Sequence, residues 1–555
     1  MNFINKLTAN FLITLPIKGI AYRSYKMITT KSRIVHYWLI VGLIVICFQK
    51  ISAIPAFAKK YGKPCQTCHI TEPKLNAFGE LFRINGYQLR GTEEDTPPWA
   101  VENVQLSGML HEMYVIREIS NNMDAVPPPG IPSGESYKVN SFRDMGGHLW
   151  MAGSLGRKLS FFATLGIESE VEVSNGRFGS ETHVHWDQAF FQYNNMFNSW
   201  AHLTSIKFGL FELELPFSAL RNLGSTIAPY EVYDIRGVKG AAKLGATQMG
   251  TSFNGLSHFG VNSLRYELAM INGTNGNFDS NVEFDYYGRL AIARLFDKFL
   301  HRVQVGFLYY SGTQNLKDLP GNPFPNSAML EYWQTDSSFL EFNTDPLNVH
   351  INPENSKFYR WGVDGSIDFE LAGYPINIYG QYLVGHDDDI DMTNRNMPHL
   401  GSEGEGDGDG HGDHLAKILS SEDEWITRPF DYSGGFIGVD VVLKPAKLFF
   451  TPRFDWISVS NQWTDEIDGR RLRGADDKMI WNMTNKLSEY SRYILGLRYH
   501  PIMPLTITFE WGVQENLFGF PEPAEAMYNP AWVAGMGRVV DIDSNWFMIM
   551  VMFVF

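Results

Sequence analysis

The chain has 555 residues and a formal net charge of −15 at neutral pH, with 44% hydrophobic, 19% charged and 14% aromatic residues. That composition excludes a largely disordered polypeptide, and the acidic balance argues against a nucleic-acid partner, whose phosphates recruit Lys and Arg. With 51 Gly, 39 Phe, 25 Tyr and 14 Trp, it suits a membrane β-barrel, which needs turns and aromatic girdles, better than an α/β enzyme.

No Asp or Glu occurs before Glu72, and Lys31 and Arg33 precede an apolar run from Tyr37 to Phe48. About twelve apolar residues suit a signal-peptide core and are short for a bilayer span; a single membrane anchor is the competing reading. Ala53 and Ala58 both end small-residue cleavage sites. Cleavage after Ala53 makes residues 1–53 a signal peptide, and the long leader makes Met27 a candidate start. Lys6, Lys18, Arg23, Lys26, Lys31, Arg33 and Lys50 leave with it, so the exported chain is more acidic still.

Cys47 also leaves, and the exported chain keeps Cys65 and Cys68, followed directly by His69. Cys65-Gln66-Thr67-Cys68-His69 is the pattern for covalent c-type haem attachment. Two thiols at this spacing add to the two porphyrin vinyl groups, and the adjoining imidazole is the proximal iron ligand. A structural zinc site would want four ligands, and no second cysteine pair exists. A thioredoxin-like redox pair would want a βαβ context, which is missing.

From about Val101 the pattern changes to period two. Leu505-Thr506-Ile507-Thr508-Phe509-Glu510-Trp511 alternates apolar and polar side chains, and Tyr493, Leu495, Leu497 and Tyr499 share one face of the segment before it. Sixteen strands are predicted, near 103–118, 144–156, 158–173, 182–197, 200–213, 245–257, 261–273, 285–297, 302–313, 356–370, 375–386, 430–444, 447–459, 486–500, 505–516 and 545–555. Periodicity alone also fits a soluble sandwich. Connection lengths decide: short turns at 371–375, 444–447 and 500–504 alternate with long polar loops near 119–143, 214–245, 314–355, 386–430, 459–486 and 517–543. Phe547, Ile549, Val551, Phe553 and Phe555 alternate up to an aromatic last residue, an ending that resembles the assembly signal of outer-membrane proteins. The expected fold is mainly β: a transmembrane outer-membrane barrel of roughly 16 strands over residues 101–555, with both termini periplasmic and an aqueous lumen lined by polar residues such as Arg453, Asp455, Arg498 and Glu510.

The stretch Ile54-Pro55-Ala56-Phe57-Ala58-Lys59-Lys60-Tyr61-Gly62, the Cys65–His69 motif, Pro73-Lys74-Leu75-Asn76-Ala77-Phe78-Gly79 and Phe82-Arg83-Ile84-Asn85-Gly86-Tyr87 together resemble the fused cytochrome–porin family. Its members join a monohaem c-type cytochrome to an outer-membrane barrel, and several are implicated in oxidising extracellular ferrous iron. The detailed match covers about 35 residues; over the barrel it is architectural. The resemblance implies a small α-helical haem domain at residues 54–100 holding one covalently bound haem c. It further implies single-electron transfer from extracellular Fe(II), or another external redox partner, to a periplasmic c-type cytochrome, hence an iron:cytochrome c oxidoreductase. A porin with a haem-containing plug and an outward conduit to extracellular acceptors are the alternatives.

One haem at the periplasmic face cannot relay electrons across an apolar band about 25 Å tall, so residues 54–100 are expected in or against the lumen. Pro73, Leu75 and Phe78 are the expected packing residues for the porphyrin. No His or Met occurs between His69 and Met109, so Met109 and His111, on the lumen-facing side of the first strand, are the candidate distal ligands. His148, His183 and His185 are expected to face inward too. Finally, Asp387, Asp389, Asp407, Asp409, His411 and Asp413 lie in a Gly-rich acidic loop and are candidate ligands for a divalent cation; a solvated loop is the alternative.

Overall fold

The computed structural model describes residues 56–64, 67–71, 74–89, 104–121, 136–174, 177–199, 201–218, 226–237, 242–275, 283–313, 349–351, 357–388, 391–394, 425–426, 430–443, 447–459, 466–467, 470–471, 489–502, 505–519, 538–540 and 542–554. The predicted signal peptide and the final Phe555 lie outside them.

The N-terminal segment opens with helix α1 (Ala56–Tyr61). Two short strands follow, β1 (His69–Thr71) and β2 (Lys74–Leu75), paired antiparallel with His69 opposite Leu75. Helix α2 (Ala77–Ile84) comes next; Asn76 caps it, its side-chain oxygen accepting from the Gly79 N–H, which satisfies one of the helix's free first-turn donors.

Among the described residues sixteen long strands then close into one antiparallel barrel. They are β3 (Val104–Asn121), β4 (Ser136–Leu155), β5 (Leu159–Ser174), β6 (Arg177–Tyr193), β7 (His202–Glu212) and β8 (Thr247–Phe259). Next come β9 (Asn262–Ile271), β10 (Asp285–Leu295), β11 (Leu300–Thr313), β12 (Lys357–Leu371) and β13 (Tyr374–Asp387). The last five are β14 (Phe430–Leu443), β15 (Leu448–Val459), β16 (Glu489–Ile502), β17 (Leu505–Glu515) and β18 (Ile542–Val554). Each pairs with its sequence neighbours, and β18 pairs with β3 from Ile542↔Asn121 to Val554↔Met109, so no edge is left to template aggregation. All sixteen predicted strands are present. Several run past their predicted ends, notably β4, which starts at Ser136 rather than near 144.

Period-two patterning explains why these segments close in this sense. Leu106, Leu110, Phe307, Tyr493, Leu495, Leu497 and Trp511 are exposed on the outer surface, whereas Arg453, Asp455, Arg492, Arg498, Thr508 and Glu510 are buried within. In lipid every backbone polar group must be satisfied internally, which a closed barrel achieves, and an apolar outer belt matches the acyl chains. Leu497→Arg is therefore expected to destabilise the vesicle-inserted chain by about 2–4 kcal/mol if its depth is near the midplane, measured by reversible urea unfolding. A neutral result would mean that this face does not meet lipid.

The lumen departs from expectation. Residues 214–218 and 226–237, which fall within the polar loop predicted near 214–245 between β7 and β8, instead run through the bore. Leu213, Leu215, Phe217, Tyr230, Val232, Tyr233 and Ile235 are all buried, most of them in a cluster with Phe211, Tyr287, Tyr310, Tyr379 and Phe436 from the inner wall. The aqueous lumen expected for a barrel of this size is thus occupied by a packed apolar core over this stretch. The physical reason is composition: a segment carrying Leu, Phe, Tyr, Val and Ile loses by facing water and gains by filling the bore.

Candidate functional site

Two groups of residues give the lumen its chemistry. The first ties the N-terminal segment to the inner wall. Lys74, only 7% exposed, donates to Asn377 Oδ1 at 2.8 Å and pairs with the buried Asp440. Its ammonium lies 3.8 Å from the centre of the Tyr379 ring. Arg83 on α2 binds Glu214 Oε2 at 2.6 Å and Glu80 Oε2 at 2.9 Å, and Arg265 of β9 binds the same Glu80 oxygen at 2.9 Å. Gln192 of β6 donates to the Ile84 carbonyl at 2.8 Å. Tyr87 stacks between Phe57 and Phe162, with centroids 5.3 and 5.2 Å away. At Gly86, φ is 67°, and a Cβ would stand 2.2 Å from Asn194 Oδ1 and 2.3 Å from Ser160 Oγ. Glycine is required there both by the left-handed backbone and by the closeness of the wall.

This segment carries Cys68 and His69. Cys68 is a half-buried free thiol, and burial pushes its pKa above the ordinary thiol value. A dithiol exchange site needs a thiolate stabilised by its surroundings, so this environment counts against the redox-pair reading. Asn76 holds the motif to α2: its N–H donates to the Cys68 carbonyl at 2.8 Å and its side chain donates to the Thr67 carbonyl at 3.0 Å. A Cβ on Gly79 would come within 2.1 Å of that same Cys68 carbonyl, so α2 approaches the motif as closely as a helix can. Leu75 faces His69 across the β1–β2 ladder, and Phe78, in the first turn of α2, is 38% exposed. A partly exposed Cys68 and His69, with Leu75 across the ladder from the imidazole-bearing residue, are of the chemistry that a covalently held porphyrin with one imidazole ligand would use. Cys65 and Pro73 lie outside the described residues.

The distal candidates sit on the inner side of β3, whose opposite side exposes Leu106 and Leu110. Met109 is opposite His148 in the β3–β4 register, and the His111 ring stacks on His148 with centroids 6.1 Å apart. His148 Nδ1 is 3.0 Å from Asp187, and His185 Nε2 is 3.0 Å from the other Asp187 oxygen. Asp187 was not singled out in the sequence; it is the extra residue of the β5–β6 irregularity, lying between Trp186, opposite Leu165, and Gln188, opposite Thr164, and it shifts the alternation. The side chain of His183 is outside the described residues.

The second group anchors residues 226–237 across the bore. Arg453 on β15 reaches Thr226 Oγ1 at 2.6 Å and the carbonyls of Ala228 and Pro229 at 3.0 and 2.7 Å. Arg492 on β16 binds Glu231 at 2.8 Å, and both arginines share Asp455. Glu510 on β17 accepts from the Ala228 N–H and from Trp546 Nε1, each at 3.0 Å. On the other side the Glu214 N–H donates to Glu267 of β9 at 2.6 Å, and Tyr287 of β10 donates to the Glu214 carbonyl at 3.1 Å. Each buried charge thus has partners, as burial demands.

Asp387, the first residue of the candidate cation loop, is buried and committed to Arg360 and the Gly237 N–H. Asp389, Asp407, Asp409, His411 and Asp413 lie outside the described residues. Among the described residues no three or more His, Cys, Asp or Glu side chains are arranged to hold a metal ion.

The class that this geometry defines is a closed sixteen-stranded antiparallel β-barrel with an apolar outer surface and a filled, charged lumen. Neither a family model nor a curated protein matches the sequence. Similar solved structures include the outer membrane channel DcaP of Acinetobacter baumannii, 12% identical over 81% of this chain and 97% of its own, with a TM-score of 0.38. Others are an anion-selective porin from Comamonas acidovorans (9%, 81% and 99%, TM-score 0.38) and OprB of Pseudomonas putida (12%, 81% and 94%, TM-score 0.41). The barrel assignment stands on the strand pairing itself.

Proposed function

We propose that this protein is an outer-membrane barrel that holds one haem c at Cys65, Cys68 and His69 and transfers single electrons inward. The donor is extracellular Fe(II), which leaves as Fe(III), and the acceptor is a periplasmic c-type cytochrome. The observation that carries this reading is that the segment bearing the haem-attachment motif is bound to the inner wall through Lys74, Arg83 and Ile84. When bound, the haem supplies a one-electron couple. The chain's own residues would do the rest: Cys65 and Cys68 would hold the porphyrin, His69 would ligate its iron with Met109 or His111 as the candidate second ligand, and Pro73, Leu75 and Phe78 would pack against it and exclude water. A Met ligand would favour a higher potential than a His, which suits acceptance of electrons from iron.

Anaerobic mixing of the purified chain with Fe(II) is expected to produce a reduced c-type spectrum at a rate that exceeds reoxidation, with a positive midpoint potential. A strongly negative potential would favour an outward conduit. Substantial solute flux in liposome swelling without spectral reduction would favour the porin alternative.

A further inference from the structure

The β1–β2 ladder links the haem-attachment motif to a point on the barrel wall that is distant in sequence. Resting on the haem reading above, we infer that Lys74 and Asp440 form a positioning pair that sets where His69 stands in the lumen. The chain of contacts is short. Asp440 on β14 is fully buried, and its second oxygen accepts from Thr451 on β15 at 2.8 Å. Asn377 on β13, which also receives Lys74, is itself bonded to Asp368 of β12. Two adjacent strands, β13 and β14, therefore hold the ammonium directly, their outer neighbours β12 and β15 hold the two acceptors, and the Tyr379 ring covers the ammonium. Lys74 pairs with Thr71 in the ladder while its neighbour Leu75 pairs with His69. Fixing the Lys74 head group thus fixes β2, and through it the strand that begins at His69.

The chemistry singles this contact out from ordinary packing. An ammonium taken out of water is costly unless it is paired and hydrogen-bonded, and removal of one partner leaves the other charge buried alone. A lysine that merely decorated the segment would keep its charge in solvent by extending its four-carbon stem. Here the stem points into the wall, so electron-transfer distance, which positioning controls, depends on a carboxylate 366 residues further along the chain.

Asp440→Leu in the full-length haem protein is the test, alongside the double variant Lys74→Met/Asp440→Leu. In the wild type, trypsin is expected to spare Lys74 and Arg83. In Asp440→Leu, cleavage at both should accelerate by on the order of tenfold or more, because a lone buried ammonium favours the undocked segment. The low-spin ferric EPR signal, which reports the ligand field at His69, should broaden or shift, while the barrel keeps its heat-modifiable mobility on gels. In the double variant, which has neither charge and no tryptic site at 74, cleavage at Arg83 and the EPR signal should both return towards wild type. Unchanged proteolysis and EPR in Asp440→Leu, or a double variant as perturbed as the single, would overturn the pairing. If Asp440→Leu does not fold, Asp440→Asn takes its place under the same criteria. A preparation without haem would end the functional reading, whereas the proteolysis result would still decide whether Lys74 docks on Asp440.

Discussion

Arg453→Leu is expected to raise the single-channel conductance of the reconstituted barrel by on the order of tenfold. Residues 226–237 form no strand of the barrel; side chains of the wall hold most of their length, and Arg453 supplies more of the polar contacts than any other wall residue described above. Its guanidinium also lies 4.5 Å from the centre of the Tyr230 ring, which a leucine cannot replace. Loss of this arginine leaves the Pro229 carbonyl to Arg492 alone and the Ala228 carbonyl with only the 3.4 Å contact from Thr226, and it removes one of the two cations on Asp455. Breaking a buried charge network by removing one partner costs about 3–5 kcal/mol. The strand ladders do not pass through Arg453's side chain, so that cost falls on the docked segment. Planar-bilayer recording on wild type and variant checks this. Equal conductance would show that the segment stays in place without Arg453, and a large conductance already in the wild type would show that the bore is open beside it.

The barrel was legible because lipid on one side and a polar interior on the other impose a period of two that each strand carries by itself. Tyr493, Leu495, Leu497 and Tyr499 announce their face without knowledge of any partner. The haem-attachment reading of Cys65, Cys68 and His69 is likewise a reading of local chemistry, and it rests on the sequence. What escaped was non-local. The stretch near 214–245 was grouped with the long polar loops, yet Leu215, Phe217, Val232, Tyr233 and Ile235 are an anomalous apolar load for a solvated connection. That was a usable signal. Lys74 carried none: in sequence it is one more basic residue, and only closure of the barrel brings β13, β14 and β15 around it. Asp387 erred in the opposite sense, for an acid beside a polar loop reads as solvent-facing until Arg360 is seen beneath it.

The largest effect should come from the thiols. Cys65→Ala/Cys68→Ala is expected to abolish covalent haem, from one per chain to none by pyridine haemochrome assay and by haem staining on denaturing gels. Fe(II)-driven reduction should disappear with it, because no other one-electron centre is proposed. The barrel should survive, since the ladders from β3 to β18 close without any hydrogen bond to residues 56–89 being part of them. The segment itself keeps the Lys74, Arg83 and Gln192 contacts, so its resistance to trypsin should fall less than in Asp440→Leu. Single replacement of Cys68 should leave one thioether and a shifted reduced spectrum, because one vinyl group then stays conjugated with the porphyrin. A double variant that still stains for haem, or a wild type that never does, would remove the cofactor from the reading and leave a filled barrel to be explained as a transport protein.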